Sequence, residues 1–306
     1  NKALYVYGDG EDWQRTVKEN NSRNGYFRIS KAVSYRKGLD FIEHILPEYQ
    51  ALFLGKLPDS DRNRLLKLGI CTDRECFAVP GIPDIYLQNS RIIRLHDKVL
   101  FRSGRGYLTK EQERVKRAED IICALLLLIP ALPLMGLISL CIKAEDGGPV
   151  FYRQERVTRN GKSFFMLKFR SMVPEAEKEG PRLAARNDAR VTRTGKILRN
   201  LHLDELPQLF NVLAGDMSMV GPRPERREFI EDYSRILPEF KERLRVKGGL
   251  TGYAQIYGKY STGPEDKLKY DLIYIYNYSL RLDIRLLFLT IRIFFQKENA
   301  QGVEES

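Results

Sequence analysis

The chain has 306 residues, enough for two ordinary domains, with apolar and aromatic contents normal for a folded protein. Its net charge of +11 and pI of about 9.4 suit an anionic partner: nucleic acid, acidic lipid headgroups or a phosphorylated substrate. Three scattered histidines (His44, His96, His202) and four cysteines (Cys71, Cys76, Cys123, Cys141) match no zinc spacing, so a metal framework is excluded and free thiols are expected.

The chain opens on Asn1 with neither Met nor a signal peptide, and is expected to be a piece of something longer. From there the sequence alternates. A strand at 3–10 (ALYVYGDG) precedes a polar helix (EDWQRTVKEN), a strand at YFRISKAVS, a helix at KGLDFIEHILPEY, a strand at ALFLG and a helix at SDRNRLLKLGI. This rhythm predicts a small Rossmann-like parallel-sheet domain over 1–101, hence an α/β fold class. Gly8-Asp9-Gly10 starts like a dinucleotide fingerprint, but Trp13 stands where the third glycine belongs, so a regulatory or docking domain is expected rather than a cofactor site.

Residues 102–116 read as a charged linker, holding Arg102, Arg105, Lys110, Arg114 and Lys116 among acids. The run 121–142 (IICALLLLIPALPLMGLISLCI) carries no charge. At ~1.5 Å per residue it is just long enough to cross a bilayer. A spanning helix, a buried core helix and a re-entrant hairpin all fit. Pro130 and Pro133 in the middle, and basic residues on both flanks, favour the hairpin, which would keep both ends on the cytoplasmic side. Near the C-terminus, 282–295 (LDIRLLFLTIRIFF) is apolar with Arg285 and Arg292 seven apart, as in an interfacial amphipathic helix; a core helix with two snorkelling arginines is the alternative.

Between these segments lies LRNLHLDELPQLFNVLAGDMSMVGPRP at 198–224. Pro207 belongs in a first helical turn, so a helix is expected to begin near Asp204, with Gln208 and Asn211 on the face of Asp204. Taken alone, Asp204 and Glu205 read as capping residues. Their surroundings point elsewhere. KFRSM brings Lys168 and Arg170, 188–200 brings Arg190, Arg193, Lys196 and Arg199, and Pro222 and Pro224 fix Arg223 in a rigid turn. Basic groups converging on a carboxylate suit a polyphosphate site, in which the carboxylate ligates Mg²⁺ or attacks phosphorus.

The stretch ILRNLHLDELPQLFNVLAGDMSMVGPRPE closely resembles the core of the bacterial sugar transferases, the monotopic phosphoglycosyl transferases. GPVFYRQERV, KFRSM, LTGYAQIYG and YDLIYIYNYSLRLDIRLLFLTI extend the resemblance from about Lys116 to Phe295. The preceding domain resembles the CoA-binding-like domain of the larger members, which often begin with four membrane helices. The resemblance implies a mainly α catalytic domain over 117–306. It also implies transfer of a sugar-1-phosphate from a UDP-sugar to polyprenyl (undecaprenyl) phosphate at the bacterial cytoplasmic membrane, with UMP released and Mg²⁺ as cofactor. By the same resemblance Asp204 is the nucleophile and a metal ligand, and Glu205 its partner. Lys168, Arg199, Pro222, Arg223, Pro224 and Asp271 are substrate-binding candidates. Oligomerisation or regulation is the role expected of the first domain, so a homo-oligomer is among the expected assemblies. Two departures stand out: Ile129 replaces the Ser that often precedes the hairpin proline, and Lys247-Gly248-Gly249 replaces Lys-Pro-Gly, which is expected to loosen that loop. A non-catalytic scaffold for polysaccharide assembly is the competing function. A nucleic-acid partner is not expected, since no such motif accompanies the basic charge.

Overall fold

In the computed structural model, residues 1–22, 25–103, 108–173, 188–258 and 262–294 are described. The chain divides into two compact units, Asn1–Asp84 and Ile85–Ser306, so the expected boundary at 101 falls inside the second.

The first unit is built from β1 (Lys2–Tyr7), α1 (Trp13–Ser22), β2 (Arg28–Ser34), α2 (Leu39–Ile45), β3 (Ala51–Leu54), α3 (Asp59–Cys71) and β4 (Glu75–Ala78). All strand pairs are parallel, in the order β2-β1-β3-β4. Ala3, Leu4, Tyr5 and Val6 are all buried because β1 lies mid-sheet with both faces covered. Leu4 and Val6 pack with Ile42, Leu46 and Leu65; Ala3 and Tyr5 pack on the other face with Trp13 and Val17. The glycine turn after β1 holds no open cradle. Glu11 lies in the crevice between the ends of β1 and β3, accepting hydrogen bonds from Gly8 N (3.1 Å), Lys56 N (3.2 Å) and the Tyr5 hydroxyl. Trp13 stacks on Tyr7 at 5.3 Å. A carboxylate of the chain's own thus fills the position where a dinucleotide fold places phosphate.

Helix α4 (Ile82–Leu87) leads to the antiparallel pair β5 (Arg91–Leu95) and β6 (Lys98–Arg102). Arg105, expected in the linker, lies outside the described residues. From Lys110 on the expected linker is helix: α5 starts there and runs to Asp146. Thr109 and Gln112 form a reciprocal capping box at its start, and Gly147 ends it in the left-handed region (φ 70°). Pro130 and Pro133 lie inside this one helix, so the hairpin expected from them does not appear as a break. Both are exposed, on the side of α5 away from its buried stripe.

Lys116, Asp120, Ala124, Leu128, Ala131, Met135, Ile138 and Ile142 recur every three or four residues and form one buried stripe along α5. Leu126, Ile129, Leu137 and Leu140 are each more than half exposed on the other faces. By length and composition α5 is the one described helix able to cross a membrane.

The second unit continues with the antiparallel hairpin β7 (Phe151–Val157) and β8 (Ser163–Phe169), then α6 (Arg193–Asn200), α7 (Gln208–Ala214), β9 (Ser218–Val220), α8 (Arg227–Ile236), β10 (Gly249–Thr251), α9 (Tyr253–Tyr257), α10 (Pro264–Tyr276) and α11 (Leu280–Phe294). Three ties set its geometry. Arg117 donates to the carbonyls of Val212 (2.6 Å) and Leu213 (2.7 Å) and so caps the end of α7. Asn211 accepts from Leu167 N and donates to Phe165 O, both at 2.9 Å, so its amide clamps α7 to the edge of β8. Lys116 lies between Asp120 (3.0 Å) and Asp283 (2.6 Å), joining α5 to α11.

On α11, Leu280, Ile284, Phe288 and Ile291 form an exposed apolar line, while Asp283 and Leu286 face inward. Arg281, Arg285 and Arg292 flank that line; Phe295, the last residue of the expected interfacial helix, lies outside the described residues.

Candidate active site

Helix α6 delivers the chain to the site. Thr192 caps it through Gly195 N (2.9 Å), and the Glu145 carboxylate, near the end of α5, accepts from Arg193 N (2.8 Å) and Thr194 N (3.2 Å). Gly195 is obligatory, since a β-carbon there would lie 2.1 Å from Ser171 O. After α6, His202 adopts a left-handed conformation (φ 53°, ψ 20°) and turns the chain. Asp204 and Glu205 follow in a 3-10 turn, Leu203–Glu205, and α7 starts only at Gln208. The carboxylates therefore precede the helix expected to begin at Asp204, because His202 redirects the backbone before Pro207 can seed it.

The two neighbours have opposite environments. Glu205 pairs with Lys168 at 2.8 Å and with both terminal nitrogens of Arg223, one of them at 3.3 Å. Burial alone would raise its pKa, but Arg223 and Lys168 overcome that and hold it far below the ordinary carboxylate range. Asp204 is 9% exposed and makes no side-chain hydrogen bond or ion pair among the described residues. Burial raises its pKa, with Glu205 adding to the effect and Lys168, Arg199 and Arg223 opposing it. The result is a carboxylate held near three cations and committed to none of them.

Of the sequence candidates, Lys168, Glu205 and Arg223 meet directly. Arg199 bonds Ser171 Oγ (2.8 Å) and no described carboxylate. Arg190 turns aside to Asp188 (2.6 Å). Arg170 is buried against Asp146, beneath Gly148, where a β-carbon would strike the guanidinium. Asp271 does not reach the site surface. It is 1% exposed and binds Arg243 (2.9 Å), which donates to Arg223 O (3.0 Å), so it supports the turn from behind. Burial, partly offset by Arg243, pushes Asp271 up to about 6.

The Pro222-Arg223-Pro224 turn is pressed onto the Gly248-Gly249 segment. Gly249 N donates to Pro222 O (2.8 Å) and Gly221 N to Thr251 O (2.8 Å). A β-carbon on Gly249 would lie 2.1 Å from Gly221 N, and one on Gly248 2.4 Å from Pro224 Cγ. Gly248 and Gly249 are thus required for close approach, and the loop expected to be loose is bonded on both sides.

Sequence reasoning noticed Asn211 without seeing its clamp and missed Arg243, Arg117 and Glu145. The face shared by Asn211 with Asp204 was the only signal; the other three sit in charge-rich stretches without distinguishing pattern. Among the described residues no three His, Cys, Asp or Glu side chains converge as a metal cage. One uncommitted carboxylate fits a cation that takes its remaining ligands from substrate phosphates and water.

The family model described as bacterial sugar transferase matches residues 111–297, more than half the chain and all of this site. The chain belongs to the bacterial sugar transferases. The sugar transferase shares 35% identity with the UDP-glucose:undecaprenyl-phosphate glucose-1-phosphate transferase of Xanthomonas campestris pv. campestris, over 89% of this chain and 61% of that protein. It shares 43% with the UDP-N-acetylgalactosamine-undecaprenyl-phosphate N-acetylgalactosaminephosphotransferase of Aeromonas hydrophila, over 58% of this chain and 43% of that protein. With the undecaprenyl-phosphate galactose phosphotransferase of Salmonella typhimurium it shares 36%, over 72% and 48%. The sugar transferase chain spans about half the length of the curated relatives it matches. Those relatives carry three different sugars in their names, on a common undecaprenyl phosphate acceptor.

Proposed function

We infer that the chain transfers a sugar-1-phosphate from a UDP-sugar to polyprenyl phosphate, as the first membrane step of a surface glycan. One observation carries this: a shielded Asp204, with no hydrogen-bond or ion-pair partner among the described residues, stands beside a Glu205 engaged by Lys168 and Arg223. An Asp204 oxygen attacks the β-phosphorus of the donor. The bond from that phosphorus to the bridging oxygen breaks, and UMP leaves with the oxygen and its electron pair. An oxygen of polyprenyl phosphate then attacks the same phosphorus, releasing Asp204 and giving the polyprenyl diphosphate sugar. Lys168, Arg199 and Arg223 neutralise the phosphates, without which two anions would not approach. Glu205 keeps Lys168 and Arg223 in place. Asp204 and the diphosphate are the groups suited to hold Mg²⁺, which supplies further charge neutralisation when bound.

The exposed apolar faces of α5 and α11, with Arg281, Arg285 and Arg292 beside the latter, support seating in the cytoplasmic leaflet, where the acceptor phosphate lies. Entry and exit on one face, with α5 bending at Pro130 and Pro133 once in the bilayer, is supported over a crossing by the basic residues on both flanks of 121–142.

The direct test is UMP release from a panel of UDP-sugars, dependent on polyprenyl phosphate and Mg²⁺. Labelled hexose phosphate on Asp204 before acceptor is added is the expected intermediate. No release with any sugar in the panel would leave the scaffold reading in its place. A pH profile follows as well. Asp204 must be ionised to attack, and burial raises its pKa, so kcat/KM should fall on the acid side with a midpoint above the ordinary Asp value of about 3.9. Lys168 lowers that pKa, so the residual activity of Lys168→Gln should show the acid limb displaced upward. An unmoved limb would assign it to another group.

A further inference from the structure

Strand β7 presents a row of side chains that the transfer scheme leaves unused. Tyr152, Gln154 and Arg156 alternate along the strand and share one face, with Tyr152 directly opposite Lys168 on β8. The row therefore begins beside the lysine that holds Glu205. It ends at Arg156, whose Nη1 donates to Pro224 O at 3.3 Å, immediately after Arg223.

The Arg156 guanidinium is held as a fixed plane. Gln154 Oε1 accepts from its Nε (3.0 Å) and from its Nη2, while Gln154 Nε2 reaches the Tyr152 hydroxyl at 3.4 Å. Glu225 is its one carboxylate partner among the described residues, at 3.4 Å, and Arg243 shares that carboxylate at 3.9 Å. A guanidinium has five N–H groups; among the described residues Gln154, Pro224 and Glu225 occupy four, leaving an Nη2 hydrogen to donate. The side chain is 16% exposed, so it is largely desolvated yet reachable. Burial, with the nearby charges of Arg223 and Arg226, pushes Arg156 down to about 10 against the pull of Glu225. This ordered cation is suited to donate one charge-assisted hydrogen bond to a phosphate oxygen.

We propose that Arg156 contacts the diphosphate of the donor, acting with Arg223 from the β7 side of the site. The proposal rests on the reading of the donor as a UDP-sugar. It is tested by measuring the affinities of uridine, UMP and UDP for the detergent-solubilised chain by calorimetry, in wild type, Arg156→Gln and Arg156→Lys. Wild type should prefer UDP to uridine. In Arg156→Gln that preference should fall about tenfold, the loss of one charge-assisted hydrogen bond. In Arg156→Lys it should be partly restored, with uridine affinity unchanged in both variants. If Arg156 acted only by holding the turn that carries Arg223, Arg156→Gln would cost no further UDP preference in a chain that already has Arg223→Gln; that result overturns the proposal. Unaltered UDP binding in Arg156→Gln overturns it equally. A wild type that does not distinguish UDP from uridine would instead remove the UDP-sugar reading itself.

Discussion

Asp204→Asn should lose at least about a thousandfold in UMP release while the protein stays folded and membrane-bound. An amide cannot form the bond to phosphorus, and removal of a covalent nucleophile leaves only binding and electrostatic contributions. Stability should move the other way. Burial raises the Asp204 pKa, so the ionised carboxylate opposes folding at neutral pH, and a neutral isostere relieves that cost. The expected pattern is background turnover with an unchanged or higher melting temperature. Full residual turnover would remove Asp204 as nucleophile, and a sharp drop in melting temperature would make it a structural residue.

The largest stability effect is expected at Lys116. Its ammonium is buried between Asp120 and Asp283, and Asp120 also accepts from Ser218 Oγ and Met219 N, both at 2.9 Å. Lys116→Met leaves two buried carboxylates without their cation, which costs about 3–5 kcal/mol. For a unit of this size that is a fall of roughly 10 °C in melting temperature. Adding Asp283→Asn should recover part of the loss, because the orphaned charge rather than the missing contact carries most of the cost. A single variant that melts within a degree or two of wild type would show that water reaches the pair.

Much of this was readable in advance, for identifiable reasons. The strand-helix rhythm of the first unit is local, and β1 through β3 form where apolar runs and turn residues place them, whereas β4 (Glu75–Ala78) lies in a stretch that gives no strand signal of its own. Lys168, Glu205 and Arg223 were foreseeable because charge in apolar surroundings needs partners. The misplacements all depend on tertiary context. Pro130 and Pro133 suggest a break, but a helix packed along one face tolerates prolines that point away from it. Gly248 and Gly249 suggest looseness, whereas their missing β-carbons admit the Pro222–Pro224 turn. Nothing in the sequence shows that Arg243 lies over Asp271 and that this carboxylate is buried. His202 gives no warning of a left-handed backbone.

The stripe along α5 divides that helix into two regimes of tolerance. Outward positions such as Leu126, Ile129 and Leu140 ask only for an oily side chain, and can drift among Leu, Ile, Val and Phe. Inserting or deleting one residue after Lys116 would rotate everything beyond it by about 100°. Ala124 and Met135 would swing out of the core, and Glu145 would be carried away from the amides of Arg193 and Thr194. This segment should therefore accept apolar substitution freely on its outward side and reject any change of length.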